Sequence, residues 1–339
     1  MLRAFSVRSR RYTLPAVTRS EPPSAASQAI LERTHFRCLV GPTASGKTEL
    51  SLALADRLGA ELVSLDSMQV YRGMDIGTAK ASAAELARVP HHMLDLVEPS
   101  VRYDVQAFQR DLIVVLEDLE ARGVAPLFVG GTAFYLKALT EGIFDGPAVD
   151  PEVRAKLEAE YVELGAEALH ARLVSIDPPS AERIHANDRK RLIRALEVHA
   201  QTGRSLSDWQ REWGWHGASR AHRERTLVGI EVPRDALAER IAGRIEAMLD
   251  AGWCAEAERI RNGAGFGSTA IQALGYAEAL QLADGELTRE QFVERVSAKT
   301  RQFARKQRTW YRKFDDLQWI TPDADRLAFA LEAFGDSSD

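Results

Sequence analysis

A chain of 339 residues that is 27% charged and 45% hydrophobic is long enough for one substantial core and a second lobe. No apolar run approaches the roughly 20 residues that span a bilayer, which excludes a protein built on membrane-spanning helices. Cys38 and Cys254 are far apart and argue against a disulfide framework or a zinc site; the net charge of −5 hides eight Lys or Arg and no acid between Arg295 and Lys313, and ten basic against five acidic residues between Arg183 and Arg225. Local charge is what a polyanion meets.

Residues 1–35 carry Arg3, Arg8, Arg10, Arg11 and Arg19 before any acid, with scattered Ser and Pro and no sustained period. Such a segment fits a mitochondrial presequence or a disordered extension, and the extension is the expectation. Folding is expected to start near Phe36, with a strand to Val40. The next stretch, Gly41-Pro42-Thr43-Ala44-Ser45-Gly46-Lys47-Thr48, lies between that strand and a helix stripe of Leu50, Leu54 and Leu58 that stops at Gly59. Its glycines let backbone N–H groups turn onto an anion at a helix N-terminus, Lys47 adds a charge, and the Thr48 hydroxyl can ligate Mg²⁺.

A second strand, Leu62 to Leu65, delivers Asp66 at its carboxyl end, where ligands sit in open parallel sheets. A helix with Phe108, Leu112, Val115, Leu116 and Leu119 on one side precedes the strand Pro126 to Val129, which ends in Gly130-Gly131-Thr132 before a helix through Tyr135 and Leu139. Strand, helix, strand, helix, strand predicts an α/β fold of the phosphate-loop type, a doubly wound parallel sheet. After Gly146-Pro147 the pattern is helix upon helix to about Trp215, read as an inserted all-helical lobe. Thr226 to Val232 returns as a strand, followed by Pro233 and a helix, and Leu317 to Ile320 is a last strand. The expected division is therefore 1–35 extension, 36–146 with 223–320 catalytic core, 147–222 inserted lobe and 321–339 C-terminal tail, a short helix with an acidic end.

Asp66 and Thr132 close two strands that should neighbour the phosphate loop. By spacing alone Asp66 is open to two roles, a base or a second Mg²⁺ anchor. Gly130-Gly131 stands where many phosphate-loop hydrolases place a metal-holding acid, which weakens simple nucleotide hydrolysis. On a helix through Arg295 to Lys313, Phe292, Val296, Phe303 and Trp310 fall on one face, with the cations along its border and far side. Uncompensated cations in that number point to a nucleic-acid contact. The basic lobe adds Arg189, Lys190, Arg191, Arg194, Trp209, Trp213 and Trp215 as a second surface.

Read together, these blocks resemble one family. The phosphate loop, Asp66-Ser67-Met68-Gln69-Val70-Tyr71, Asp75 to Lys80, Pro90-His91-His92, Gly130-Gly131-Thr132, Asn187-Asp188 with Arg194 to Glu197, Gln272 to Tyr276 and Lys306 to Trp310 occur in the order found in the tRNA dimethylallyltransferase family, over roughly residues 37–320. The departures are Ala81, where a proline is usual, and Ala277, where a larger polar residue is common.

The resemblance implies that Gly41 to Thr48 hold the diphosphate of dimethylallyl diphosphate, with Mg²⁺ on Thr48, and that the acceptor is the exocyclic amine of the adenine just 3′ of the tRNA anticodon. Asp66 would orient that amine and take its proton, Thr132 would help place the base or the diphosphate, and an arginine after Pro233, Arg244 rather than Arg240, would meet the diphosphate. The tRNA contacts carried over are Asp66, Ser67, Met68, Gln69 and Thr132; Lys190, Arg191, Leu192, Ile193 and Arg194; Gln272, Ala273, Leu274, Gly275 and Tyr276; and Arg305, Lys306, Gln307, Arg308, Thr309, Trp310, Tyr311 and Arg312. The partner is the tRNA anticodon stem-loop with its target base flipped out. A bacterial-type, cytoplasmic monomer without a zinc finger is the expectation. An adenylate isopentenyltransferase acting on free nucleotide, or an RNA-binding nucleoside triphosphatase, are the competing readings.

Overall fold

The computed structural model describes residues 25–142, 147, 149–212 and 223–335. These form two compact units, one made of the described residues up to Thr140 and from Arg223 onward, the other lying between Glu141 and His222. The first unit begins with α1 (Ala25–Arg33), β1 (Phe36–Val40), α2 (Lys47–Leu58), β2 (Glu61–Ser64), α3 (Ala83–Arg88), β3 (His91–His92), α4 (Val105–Arg122), β4 (Pro126–Gly130) and α5 (Ala133–Glu141). The second supplies α6 (Pro151–Leu164), α7 (Ala166–Ile176), α8 (Pro178–Arg183), α9 (Arg189–Thr202) and α10 (Leu206–Glu212). The chain then returns to the first with β5 (Arg225–Ile230), α11 (Arg234–Asp250), α12 (Trp253–Asn262), α13 (Tyr276–Ala283), α14 (Arg289–Tyr311), β6 (Leu317–Ile320) and α15 (Arg326–Phe334).

The sheet order is β3-β2-β4-β1-β5-β6, and every pairing is parallel. β1 is flanked on one side by β4 and on the other by β5, so the winding direction reverses at β1 and opens a crevice at the carboxyl ends of β1, β2 and β4. The strands are near-continuous apolar runs because helices cover both faces; Phe36, Cys38, Leu39, Val63, Leu127, Phe128 and Val228 are all buried. Gly59 closes α2 in the left-handed conformation that an L side chain resists, so the stripe ends where the sequence places it.

In the second unit, Leu157, Leu169, Leu173, Leu192, Ile193 and Leu196 form a separate core. Asp177 and Glu197 are its buried carboxylates among the described residues, and Glu197 receives guanidinium donors from Arg154 at 2.7 Å and Arg194 at 2.8 Å. A buried charge needs such partners.

Three boundaries and one strand differ from the sequence expectation. Residues 25–33 are helical, with Ile30 and Leu31 buried in the main core and Arg33 bonded to Glu120, so the folded unit starts before Phe36. Two apolar residues in one turn are too short a stripe to stand out against a polar background. The tail at 321–339 contains α15, which buries Ala330, Leu331 and Phe334 and belongs to the same core. The helical unit begins at Glu141 rather than 147. β3 is two residues long, too short to show a period of two. The readings placed on residues 1–24, Gly146, Trp213 and Trp215 lie outside the described residues. Among the described residues no helix is long and apolar enough to cross a membrane.

Candidate active site

A cavity of about 670 Å³ opens at the crevice, lined by the phosphate loop, Asp66 to Gln69, Gly130 to Thr132 and one side of α11 and α14. Its polar end is built by three strand ends. β1 runs into the loop, where Ala44 takes a left-handed φ of 62° and Gly46 one of 89°. The alanine carries the strain of that conformation, which other parts of the structure must hold in place. Among the described residues the N–H groups of Ala44, Ser45 and Gly46 have no protein acceptor. Lys47 folds back along the loop and donates from Nζ to the carbonyls of Gly41 at 2.9 Å and Pro42 at 2.8 Å.

β2 ends at Asp66, whose Oδ1 accepts the Met68 N–H at 2.8 Å. That bond turns the chain, and the next N–H, of Ser67, reaches the Thr132 hydroxyl at 3.2 Å. Thr132 therefore ties the ends of β2 and β4 together. Gln69 lies in the same wall. Its Oε1 accepts the Ser64 hydroxyl at 2.8 Å, and its amide donates to the carbonyls of Thr78 and Ala79. The absence of an acid at the end of β4 has a steric cause: a Cβ on Gly130 would stand 2.5 Å from the Leu65 carbonyl oxygen.

Arg244 reaches over from α11 and donates from Nη1 to the Thr43 hydroxyl at 3.4 Å. Arg240 lines the same cavity, so the choice left between these two arginines falls on Arg244 for contact with the loop. Lys47, Asp66 and Arg244 line the same cavity and act on one another electrostatically. Burial, with Arg244 beside it, brings the Lys47 ammonium down to about 7. Burial raises the Asp66 carboxyl above its ordinary value, against the pull of the Met68 N–H and of Lys47, and lowers the Arg244 guanidinium. Two cations close together await an anion, and a carboxyl raised by burial is a better base than an exposed one. Ile241, Ile245, Met248, Leu274, Val296 and Phe303 give the wall an apolar stretch, beside polar residues that include Arg240, Gln272 and Thr300.

The expected tRNA contacts divide. Arg305, Lys306, Thr309 and Arg312 are exposed on α14, and Lys190 and Arg191 on α9. Leu192 and Ile193 are core residues of the second unit, and Arg194 is engaged with Glu197 and the Pro147 carbonyl. Ala273, Gly275 and Tyr276 are buried, as are Gln307 and Tyr311. Gly275 has a φ of 92°, and a Cβ there would stand 2.2 Å from Trp253. These side chains shape the cavity or the core and are not available to a macromolecular surface.

The helix face also differs. α14 buries Phe292, Val296, Ala304, Gln307 and Tyr311, whereas Phe303 is 43% exposed and Trp310 lies at the border under Lys313. Its cations are not all uncompensated, since Lys299 pairs with Glu278 and Arg308 approaches Glu231 at 3.5 Å. Gln307 and Arg326 are the residues whose roles the sequence did not reveal. Gln307 bonds to Thr43 and Gly131, and Arg326 donates from α15 to the Ser45 carbonyl at 3.4 Å. The resemblance placed Gln307 among the tRNA contacts, and Arg326 carried no signal at all.

A family model described as IPP transferase matches residues 69–314. The chain is 41% identical over 290 residues to "tRNA dimethylallyltransferase 2" of Geotalea daltonii, covering 85% of this chain and 88% of that one. It is 42% identical over 284 residues to "tRNA dimethylallyltransferase 1" of Citrifermentans bemidjiense, covering 83% and 90%. Among solved structures it is similar to a full-length tRNA isopentenylpyrophosphate transferase from Bacillus halodurans, with a TM-score of 0.64, 35% identity and coverage of 89% and 96%. A eukaryotic dimethylallyltransferase acting on tRNA superposes with a TM-score of 0.71 at 26% identity, covering 85% and 73%.

Proposed function

The chain belongs to the IPP transferase family, and from that premise we infer that it is a tRNA dimethylallyltransferase, moving a dimethylallyl group from dimethylallyl diphosphate to the N6 amine of the adenine 3′ of the anticodon. The observation that carries the reading is the meeting of Lys47, Asp66 and Arg244 in one cavity that also has an apolar stretch of wall along α11 and α14. Cations and free loop N–H groups suit a departing diphosphate, the apolar wall suits a short hydrocarbon, and the carboxylate suits an amine.

In the reaction the C1–O bond of the allyl diphosphate breaks and its electron pair leaves with the diphosphate. The amine nitrogen forms the new bond to C1, and its proton passes to the Asp66 carboxylate. The loop N–H groups, Lys47 and Arg244 hold the departing charge where it develops. The adenine amine is a weak nucleophile because its lone pair is delocalised, and a hydrogen bond to Asp66 orients it toward C1. Thr132 acts by holding the Ser67 turn that presents Asp66.

Thr48 sits at the start of α2 with its hydroxyl exposed and without a protein partner among the described residues, which suits Mg²⁺ held by one hydroxyl, diphosphate oxygens and water. When bound there the ion would neutralise part of the diphosphate charge.

The exposed cations of α14 and of α9 are the surfaces proposed for the RNA backbone. The decisive experiment incubates the protein with Mg²⁺, dimethylallyl diphosphate and an anticodon stem-loop, in parallel with ATP. A mass gain of one five-carbon unit on the RNA, lost in Asp66→Ala, is expected. Phosphate release from ATP with no gain on the RNA would overturn the reading.

A further inference from the structure

We propose that Gln307, placed among the tRNA contacts by the family resemblance, is instead a positioning residue for the diphosphate, acting through the phosphate loop. It rests on the reading that an allyl diphosphate occupies that loop. Gln307 lies between Lys306 and Arg308 on α14, yet it is only 5% exposed. Both ends of its amide are engaged. Oε1 accepts the Thr43 N–H at 3.1 Å, and Nε2 donates to the Gly131 carbonyl at 2.7 Å. The opposite orientation of the amide would set donor against donor and acceptor against acceptor, so the two bonds fix its sense.

The two partners are the start of the loop that follows β1 and the end of β4. Thr43 is the residue before Ala44, which holds the left-handed conformation. That conformation is unfavourable for an alanine and persists only where the neighbours over-determine it. Thr43 is held twice, by Gln307 at its N–H and by Arg244 at its hydroxyl. With its own N–H committed to Gln307, the following N–H groups, of Ala44, Ser45 and Gly46, are those left without a protein acceptor. The amide of Gln307 thus sets the arch from which an anion is bound.

The glycine opposite confirms how little freedom the contact has. A Cβ on Gly131 would stand 2.5 Å from Gln307 Nε2. No other side chain at 307 makes both bonds. Methionine has the length but neither donor nor acceptor, and glutamate offers only acceptors and brings a charge opposed to the diphosphate. A buried Thr43 N–H or Gly131 carbonyl left unpaired is costly, and the loop would relax to recover a partner.

The test measures three quantities on wild type, Gln307→Met and Gly131→Ala: affinity for inorganic diphosphate without RNA, affinity for an anticodon stem-loop, and KM and kcat with dimethylallyl diphosphate. Gln307→Met removes the amide, and Gly131→Ala displaces it from the other side, so the second variant carries the test if the first does not fold. Both are expected to weaken diphosphate and raise the KM for dimethylallyl diphosphate about tenfold, the size of one lost buried hydrogen bond, with RNA affinity changed less than about twofold. Unchanged diphosphate affinity in both variants would overturn the proposal, and so would parallel losses for diphosphate and RNA. Inorganic diphosphate binding is read without turnover, so a wild type that transfers nothing to RNA would refute the proposed reaction while leaving this result standing.

Discussion

The Tyr276 hydroxyl donates to Glu256 Oε1 at 2.6 Å, and the same carboxylate accepts the N–H groups of Asp75, Ile76 and Gly77 at 2.9, 2.8 and 3.1 Å. Glu256 is 2% exposed, so four donors take the place of water around a buried charge. The loop that it holds runs on into Thr78 and Ala79, whose carbonyls orient Gln69 in the cavity wall.

Glu256→Gln turns one acceptor into a donor that faces donors. We expect a loss of about 2–4 kcal/mol of stability, read as a lower denaturant midpoint with an unchanged slope. A loss below about 0.5 kcal/mol, the range of a surface substitution, would show that the loop does not depend on this carboxylate.

Asp66→Asn keeps the shape of the side chain and removes its basicity. Its expected effect is a fall in kcat of about 10²–10⁴, the usual contribution of a positioned base. Diphosphate should bind as well or more tightly, because a negative charge beside Lys47 and Arg244 is gone. Single-turnover rates and diphosphate titration separate the two effects, and a variant that loses diphosphate while keeping its rate of transfer would contradict this role.

The pH profile follows from the same three groups. Lys47 in the free enzyme titrates at about 7, so above that pH it loses the charge that attracts the diphosphate, and kcat/KM should fall on the alkaline side. A bound diphosphate favours the charged ammonium, so kcat should hold to higher pH than kcat/KM does. Asp66 is raised by burial and acts as the carboxylate, so the acid limb should lie above the ordinary carboxylate range. Coincident alkaline limbs in kcat and kcat/KM would refute the part given to Lys47.

Much of this was legible in the residues, for reasons that also mark where legibility stops. The loop, Asp66 and Thr132 could be placed because each ends a strand whose apolar run is strong, and parallel sheets gather strand ends. Gln307 could not, because apolar period alone selects Phe292, Val296, Phe303 and Trp310. The buried side of α14 instead includes polar Ser297 and Gln307, and Gln307 is the one that reaches the phosphate loop. Arg326 was hidden because helix α15 is short and its packing on α2 is a long-range contact with no local pattern. Leu192 and Ile193 came with a whole segment, Lys190 to Arg194, that the resemblance carried over, although on a helix neighbouring residues face different ways.

The cations of α14 should differ in their contribution to RNA binding according to their protein partners. Arg305 and Lys306 are exposed, while Arg308 is half-buried with Glu231 at 3.5 Å and Lys299 is bonded to Glu278. A cation already neutralised by a carboxylate releases fewer counterions when it meets a phosphate. Arg305→Ala and Lys306→Ala should each weaken binding of an anticodon stem-loop and lower the slope of log affinity against log salt by about one, without altering diphosphate affinity. Lys299→Ala should leave the slope nearly unchanged. Lys306→Glu adds repulsion to the loss and should weaken RNA binding more than Lys306→Ala, because it places an acid among cations. If Lys306→Glu instead raised the KM for dimethylallyl diphosphate as much as that for RNA, the outer face of α14 would be acting on the loop through Gln307 rather than on the RNA.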